Sequence, residues 1–525
     1  MTAGKRAPAA ASPGGPGSGG PGGPGGPGSG GSRGPGGPAG SGGSAGQDFE
    51  PDPRRWRALA VVLVAGFMVL LDVSIVNVAL PSIAAGTGAD ESDLQWIVSG
   101  YALAFGLVLV AGGRIGDARG RRPALVFGLV LFTLASAACG AAQDATWLVV
   151  ARLLQGIGGG LITPQNSGLI QSLFRGPERG RAFGLFGAVI GVSTAVGPLL
   201  GGLLIQLGGT GHGWRWIFLV NLPIGIAAVV LAFRTVPHAP RPEGERSDYD
   251  PVGAVVLGAA VLLLLLPFVE SRTWETSARW LLLVPGFLLV GAFVLWERAY
   301  GSRGREPMVD LALFRRRSYT FGSTLALAYF AGFTGVFFIY TQFLQEGVGY
   351  SALQAGLAST PFAVGAAVAA GLGGRVVYRV GRSLVAVGLV LVVLGLLATW
   401  VVIGLVSGPA VGWAVALPFL VAGLGNGLVI SPNQTLTLSE VPPRQGGAAG
   451  GVLQTGQRLG SAAGIAAVGS LFYGQLASTG GDFETAMRHG LLLIVLFVGV
   501  ALAVAVADLV VNRDAQPPAV KSGRG

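Results

Sequence analysis

Apolar segments of about 20 residues recur along this chain from Trp56 to Val511, and each is long enough to cross a bilayer as a helix. Only helices and closed barrels satisfy every backbone polar group inside lipid, and these runs are continuous rather than alternating. Only 11% of the residues are charged, whereas a soluble protein carries about 25%. The chain is therefore predicted to be an all-α polytopic membrane protein.

Fourteen transmembrane helices are predicted, at 56–80, 94–112, 123–142, 146–170, 181–206, 215–236, 251–269, 279–297, 319–343, 352–374, 383–406, 411–432, 447–472 and 489–511. Lys and Arg orient them, because cytoplasmic loops carry an excess of these residues. With the N-terminus in the cytoplasm, 29 of the 35 Lys and Arg fall on the cytoplasmic side, four fall outside, and Arg152 and Arg458 fall within the membrane. We expect a cell-membrane protein with both termini cytoplasmic. The net charge of +10 thus reflects orientation rather than nucleic-acid binding.

The chain repeats itself weakly at two places. The stretch from Gly112 to Arg121 is similar to the one from Gly373 to Arg382, and both follow the second helix of a six-helix unit. Gly160 to Pro164 is similar to Gly427 to Pro432, in the fourth helix of each unit. The repeat predicts two six-helix bundles related by a pseudo-twofold axis, with two further helices inserted between them. Two such bundles around a central site are a known plan of membrane transporters.

The predicted domains follow from this repeat. They are a disordered Gly/Pro/Ser-rich cytoplasmic tail at 1–53, an N-terminal bundle at 54–237, a two-helix insertion with cytoplasmic linkers at 238–318, a C-terminal bundle at 319–512, and a cytoplasmic tail at 513–525. Residues 1–50 have hardly any large apolar side chain, so they cannot bury a core.

Asp72 lies deep in the first apolar run, where a carboxylate is costly and by default marks a functional site. The other carboxylates lie in loops or near predicted helix ends, which leaves Asp72 alone clearly embedded. A medium of low dielectric favours the protonated carboxyl. Asp72 is therefore predicted to take a proton from one side of the membrane and release it to the other. A static ion pair, for example with Arg152, is the alternative.

Several motifs are similar to those of the major facilitator superfamily. The stretch from Gly113 to Arg122 resembles its cytoplasmic loop motif, Arg152 to Gly156 its intramembrane arginine motif, and Gly197 to Gly202 the motif of its antiporters. Leu71 to Pro81 and Trp214 to Pro223 resemble motifs of its 14-span drug:proton antiporters. The resemblance covers nearly all of the predicted membrane-spanning part.

The resemblance implies roles for particular residues. It implies proton coupling for Asp72 and Arg152, a conformational latch for Gly113, Asp117, Arg119, Gly120, Arg121 and Arg122, and an antiporter hinge for Gly197, Pro198, Gly201 and Gly202. We expect Asp117 to cap the second helix. Plainer alternatives stay open: a basic loop that only sets orientation, glycines that only pack helices, and an arginine that reaches the outer interface. Tyr378 occupies the position of Asp117 in the second half, which leaves a second latch in question.

The candidate residues for a substrate cavity are polar or aromatic groups in the spans, namely Asn77, Tyr101, Gln155, Asn166, Asn221, Gln342 and Gln434. Each is equally able to hold helices together. The predicted function is a proton-coupled multidrug antiporter that exports lipophilic or cationic drugs or antibiotics by alternating access. An exporter or importer of a single metabolite and a transport-inactive receptor or scaffold are the alternatives.

The expected partners are a small-molecule substrate, protons and the lipid bilayer, with no nucleic acid, and the oligomeric state is left open. The sequence contains no phosphate-binding loop of the Gly-rich Lys-Ser/Thr type and no metal-ligand cluster. We therefore expect no enzymatic activity, no cofactor and no metal, and an ion gradient as the energy source. Cys139, the single cysteine, is expected to be a packed residue of the third helix.

Overall fold

The computed structural model describes residues 51–237, 250–269 and 277–511. Within these ranges no strand occurs, and fourteen helices are long and apolar enough to span a membrane. We label them α1 to α14: Arg55–Thr87, Ser92–Arg119, Arg121–Gly140, Ala145–Leu173, Gly176–Gly209, Gly211–Thr235, Pro251–Phe268, Ala278–Ser302, Arg317–Gly347, Leu353–Val380, Arg382–Ile403, Gly408–Thr437, Pro443–Ser478 and Phe483–Val511. Most of the predicted N-terminal tail, all of the C-terminal tail and part of the insertion lie outside the described residues.

Several helices run further than the sequence predicted, and the first two show why. The first continues through Pro81 to Thr87, although proline removes one helical hydrogen bond, because membrane helices satisfy the freed carbonyl in other ways. The second continues to Arg119, so that the motif predicted as a loop is mostly helical. The chain turns between α2 and α3 at Gly120 alone, whose φ of 105° is one that residues with a side chain rarely adopt.

The helices form two six-helix bundles, which confirms the predicted architecture. We call α1 to α6 the N-terminal half and α9 to α14 the C-terminal half. The halves meet along two seams, where α2 packs on α13 and α5 packs on α10. Glycines permit this close approach, since a Cβ atom on Gly451 would lie 2.6 Å from the Leu109 carbonyl oxygen. The residue limits predicted for the domains stay a prediction.

The inserted helices α7 and α8 lie against one of these seams. They pack on each other, and α7 also packs on both α2 and α13. The segment that follows α8 continues this cover, since Met308 and Val309 pack with Val110 of α2. An ion pair between Arg114 Nη2 and Glu306 Oε2, at 2.6 Å, fastens the same segment to α2. The insertion therefore spans the line between the two halves.

Candidate functional site

Asp72 is fully buried where α1, α3, α4 and α6 meet. Its Oδ2 atom accepts a hydrogen bond from Arg152 Nη1 at 2.6 Å. Its Oδ1 atom accepts from Gln155 Nε2 at 2.7 Å and from Asn221 Nδ2 at 3.1 Å. Both amides also donate to Ser136 Oγ, at 3.2 and 3.1 Å. We call these five residues the Asp72 network, and its geometry satisfies an ionised carboxylate.

Arg152 is held from three sides. Besides Asp72, its Nη1 donates to Gln155 Oε1 at 2.8 Å, and its Nε donates to the Ile97 carbonyl at 3.1 Å. The guanidinium lies 4.1 Å from the ring centroid of Tyr101. Arg152 is 1% exposed, so it does not turn to the outer interface. Removing one partner of such a buried pair typically costs about 3–5 kcal/mol of folding free energy.

A cavity of about 60 Å³ adjoins Arg152, lined by α1, α2, α4 and α13. Asn77, Tyr101 and Phe105 form part of its wall, and Arg458 enters from α13 of the other half. Asp72 is not among the lining residues, so Arg152 joins the carboxylate to the cavity. Sites for drug-sized ligands measure about 300–1,000 Å³. The halves must therefore part before such a molecule can enter.

The seven residues predicted to line a substrate cavity fall into three groups by location. Asn77 and Tyr101 line the cavity, whereas Gln155 and Asn221 hold Asp72. The remaining three lie elsewhere. Gln434 donates to Ser167 Oγ across the two halves at 3.0 Å, and Gln342 donates to Tyr473 Oη at 2.7 Å near the end of α9. Asn166 is buried, and neither of its side-chain polar atoms has a hydrogen-bond partner among the described residues. The cavity therefore brings together only part of the predicted set.

At the predicted cytoplasmic end, Asp117 binds the other half of the molecule. Its Oδ1 accepts from the Gly447 amide at 3.1 Å, and its Oδ2 accepts from the Ala448 amide at 2.8 Å. These amides belong to the first α-helical turn of α13, which begins at Gly446 after a short 3-10 turn. Helical N–H groups in a first turn have no partner in their own helix, and the dipole there favours a negative charge. The expectation that Asp117 caps α2 is wrong: Gly120 occupies that cap, and Asp117 caps α13.

The other residues of the predicted latch differ in whether they contact the C-terminal half. Gly113 lies against Gly447, where any Cβ atom would overlap the Gly447 carbonyl. Arg121 pairs with Asp117 at 2.8 Å and also donates to the carbonyls of Gly168 and Pro443. Arg122 donates to the Phe233 carbonyl of α6, within the N-terminal half. Arg119 is exposed at the end of α2.

The second half makes a contact at the matching position. Tyr378 Oη accepts a hydrogen bond from Arg179 Nε of α5 at 2.9 Å. Arg179 also donates to the Ser439 carbonyl at 3.3 Å. A neutral acceptor thus replaces the carboxylate, but it still joins the two halves.

The glycines of α5 face two different neighbours. A Cβ atom on Gly197 would overlap Ser74 of α1, and one on Gly201 would lie 2.8 Å from Ile75. Pro198 instead lies near Gly356 of α10. No atom of the described residues lies within 4 Å of a Cβ atom at Gly202, so this position does not share the close packing of the others.

The comparisons with known proteins agree with this geometry. A profile of the Major Facilitator Superfamily matches residues 62–465. The chain belongs to this superfamily. The "Probable actinorhodin transporter" of Streptomyces coelicolor is 40% identical over 431 residues, which are 82% of this chain and 74% of that protein. The "Tetracenomycin C resistance and export protein" of Streptomyces glaucescens is 33% identical and covers 82% of this chain and 77% of its own.

Among solved structures, the human organic anion transporter MFSD10 superposes with a TM-score of 0.61 at 17% identity, over 85% of this chain and all of that one. At this identity the likeness shows the fold alone. The superfamily and the drug-efflux subgroup predicted from the motifs are confirmed by the family match and the relatives. The chain is accordingly a membrane transporter and not an enzyme.

Asp72 is not the only deeply buried carboxylate of this superfamily member. Asp508 is 1% exposed and pairs with Arg382 at 2.9 Å, within the C-terminal half. Asp250 and Glu297 are each 2% exposed where α7 meets α8, and Trp296 Nε1 donates to Asp250 at 2.7 Å. Sequence position suggested that Asp508 and Glu297 lay at helix ends, and folding buries both. Asp72 differs in its connection to the cavity through Arg152.

Ser136 is the member of the Asp72 network that sequence reasoning missed. It lies in α3 between two alanines, outside every motif, and it is fully buried. The available signal was a hydroxyl in an apolar span, since such groups bind partners on neighbouring helices. Arg458, which the sequence placed within the membrane, lies over the Phe105 ring, 4.5 Å from its centroid.

Proposed function

We propose that this protein is a proton-driven efflux transporter for lipophilic drugs or antibiotics and that it works by alternating access. The observation that carries the proposal is the buried Asp72–Arg152 pair, whose arginine also lines the cavity between the halves. The names of both relatives support the substrate class, and one of them also supports export. The glycine-rich packing of α5 on α1, close to Asp72, supports coupling to movement.

The proposed coupling starts with protonation of Asp72. A neutral carboxyl no longer attracts the guanidinium, so Arg152 is released from one side while its Ile97 and Tyr101 contacts remain. Since Arg152 lines the cavity, its position there differs between the two protonation states. Proton and substrate then bias the same conformational equilibrium, which is sufficient for exchange.

The proposed latch closes the end of the molecule that carries most Lys and Arg. Asp117 holds the first turn of α13, and Arg179 holds Tyr378 and Ser439. The proposal places this end and both termini in the cytoplasm, which the excess of cations supports, and it places the protein in the cell membrane. The conformer is then closed to the cytoplasm, and inward opening requires these contacts to separate.

The proposal is tested with Asp72→Asn in proteoliposomes. Asparagine keeps the shape and cannot bind and release the proton. We expect uphill transport driven by a pH gradient to be lost, whereas counterflow, which exchanges substrate without net proton movement, is retained. Asp508→Asn is the matched control, because this aspartate is also buried against an arginine but lies in the other half. It should retain proton-driven transport per folded molecule. Uphill transport by Asp72→Asn at the wild-type rate would reject the coupling role.

A dedicated exporter of one compound is the second candidate, because both relatives are named for single compounds. A panel of unrelated dyes and antibiotics, tested in a host that lacks its own efflux pumps, decides between the two. Resistance to several unrelated compounds supports the multidrug function, and resistance to one supports the dedicated exporter.

A further inference from the structure

Arg458 is a cation within the membrane that faces the cavity without an anion. It lies in α13, and its guanidinium is 4.5 Å from the Phe105 ring centroid. Among the residues that the structure describes, no carboxylate and no hydrogen-bond acceptor binds it. An aromatic face offsets only part of the cost of removing an arginine from water.

The rest of the cavity wall does not neutralise the charge of Arg458. Its second arginine, Arg152, is neutralised by Asp72, whereas no carboxylate is part of the lining. The other lining groups are apolar, aromatic or neutral, namely Val73, Val76, Asn77, Val98, Ala102 and the rings of Tyr101 and Phe105. The cavity therefore carries one positive charge in excess, between flat aromatic surfaces.

We propose that the cavity, once the halves part and enlarge it, accepts an aromatic carboxylate, an organic acid whose anionic group pairs with Arg458 and whose ring packs against Tyr101 or Phe105. The planar guanidinium matches a carboxylate through two parallel hydrogen bonds. Asp72 of α1, taken alone, suggests a cationic substrate. Because Arg152 already neutralises Asp72, the proposed substrate is an anion instead. This inference rests on the proposed function, since it takes the cavity to be part of the transport path.

The test uses two dyes with the same xanthene core and opposite charge. Fluorescein carries a free carboxylate, and tetramethylrhodamine methyl ester is a cation whose carboxylate is blocked. Binding to the purified full chain in lipid nanodiscs is followed by fluorescence anisotropy without any proton gradient. We expect the wild type to bind fluorescein more tightly than the rhodamine ester. Arg458→Gln should weaken fluorescein binding about tenfold or more, while Arg458→Lys should retain part of it.

Arg488→Gln is the matched control. Arg488 also lies over an aromatic ring, 4.2 Å from that of Trp400, but it is not part of the cavity wall, so its loss should leave both dyes bound as in the wild type. Size-exclusion profiles and melting temperatures confirm that each variant is folded. A preference of the wild type for the rhodamine ester, fluorescein binding that is insensitive to Arg458→Gln, or no fluorescein binding at all would overturn the inference.

The readout separates this inference from the proposed function. Equilibrium binding does not depend on proton coupling. A protein that binds fluorescein through Arg458 but moves no compound of the panel against a gradient fails the proposed function and retains the inference.

Discussion

Ser136 shows how much a single neutral side chain contributes at the buried carboxylate. Its oxygen accepts from the amides of Gln155 and Asn221, and its own proton goes to the Phe218 carbonyl at 2.9 Å. Both amides are therefore oriented with one N–H toward Ser136 and one contact to Asp72. An N–H group buried without an acceptor costs about 1–3 kcal/mol.

We expect Ser136→Ala to lower the melting temperature and to slow proton-driven transport. A loss of about 1.4 kcal/mol at the coupling step corresponds to transport that is roughly tenfold slower. Ser193→Ala is the control, because that serine is equally buried but donates only within its own helix, to the Val189 carbonyl. Counterflow and proton-driven transport of both variants are measured in the same vesicles. Wild-type transport by Ser136→Ala would show that the amides do not need this acceptor.

At the residue scale, the sequence identified the charged members of the network and not its geometry. Asp72 and Arg152 are conspicuous because any charge in an apolar span is rare. Gln155 and Asn221 were predicted to line a cavity, and the fold turns them toward Asp72 instead. An apolar helix offers no pattern that says which neighbour a polar side chain will meet.

At the scale of the helices, the packing of α5 on α1 connects the antiporter motif to the carboxylate. Ser74 lies two positions after Asp72 and donates to the Ser193 carbonyl of α5 at 3.2 Å. Gly197 lies against the same serine. A movement of α5 would therefore act directly on the segment of α1 that carries Asp72, the proposed proton site.

We expect Gly197→Ala to reduce transport strongly, because its new methyl group would overlap Ser74. Gly202→Ala should be tolerated, since none of the residues that the structure describes lies within 4 Å of its Cβ position. Adding Ser74→Gly to Gly197→Ala should restore part of the transport activity. The new glycine lowers the folding stability by roughly 1 kcal/mol, because it lies within a helix. Transport rates and melting temperatures are compared across the set. Equal loss in Gly197→Ala and Gly202→Ala would contradict a specific contact.

The contact between Asp117 of α2 and the amides of α13 is the second feature at the scale of the helices, and it joins the two halves. We expect Asp117→Asn to open the seam, because hydrogen bonds to a charged acceptor contribute about 1.5–3 kcal/mol each. The readout is maleimide labelling of Ala448→Cys, a position that is 5% exposed, and labelling should accelerate roughly tenfold.

Glu178→Gln is the control for this experiment. It breaks an ion pair with Arg55 that lies inside the N-terminal half, so the labelling rate should not change. The protein without the introduced cysteine measures the background from the buried Cys139. Faster labelling in Glu178→Gln as well would indicate general loosening rather than a latch.

At the scale of the whole molecule, the site, both seams and the latch lie within residues 51–511. The superfamily match begins at residue 62. We therefore expect a chain that lacks residues 2–50 to insert, fold and transport like the full-length protein. Reconstituted rates per molecule and melting temperatures measure this. Loss of transport in a folded, truncated protein would assign the segment a role in the cycle.

The number of helices was determined by the sequence alone, because an apolar run of about 20 residues has one stable state in lipid. The position of Asp72 and Arg152 within the membrane was also determined by the sequence alone, because both lie inside such apolar runs. Their partners were decided only by tertiary structure. Arg152 reaches Asp72 across 80 positions, and the Gly447 amide reaches Asp117 across 330. Membrane helices are apolar on nearly every face, so it is the close packing of small residues, and not a hydrophobic pattern, that selects which faces meet.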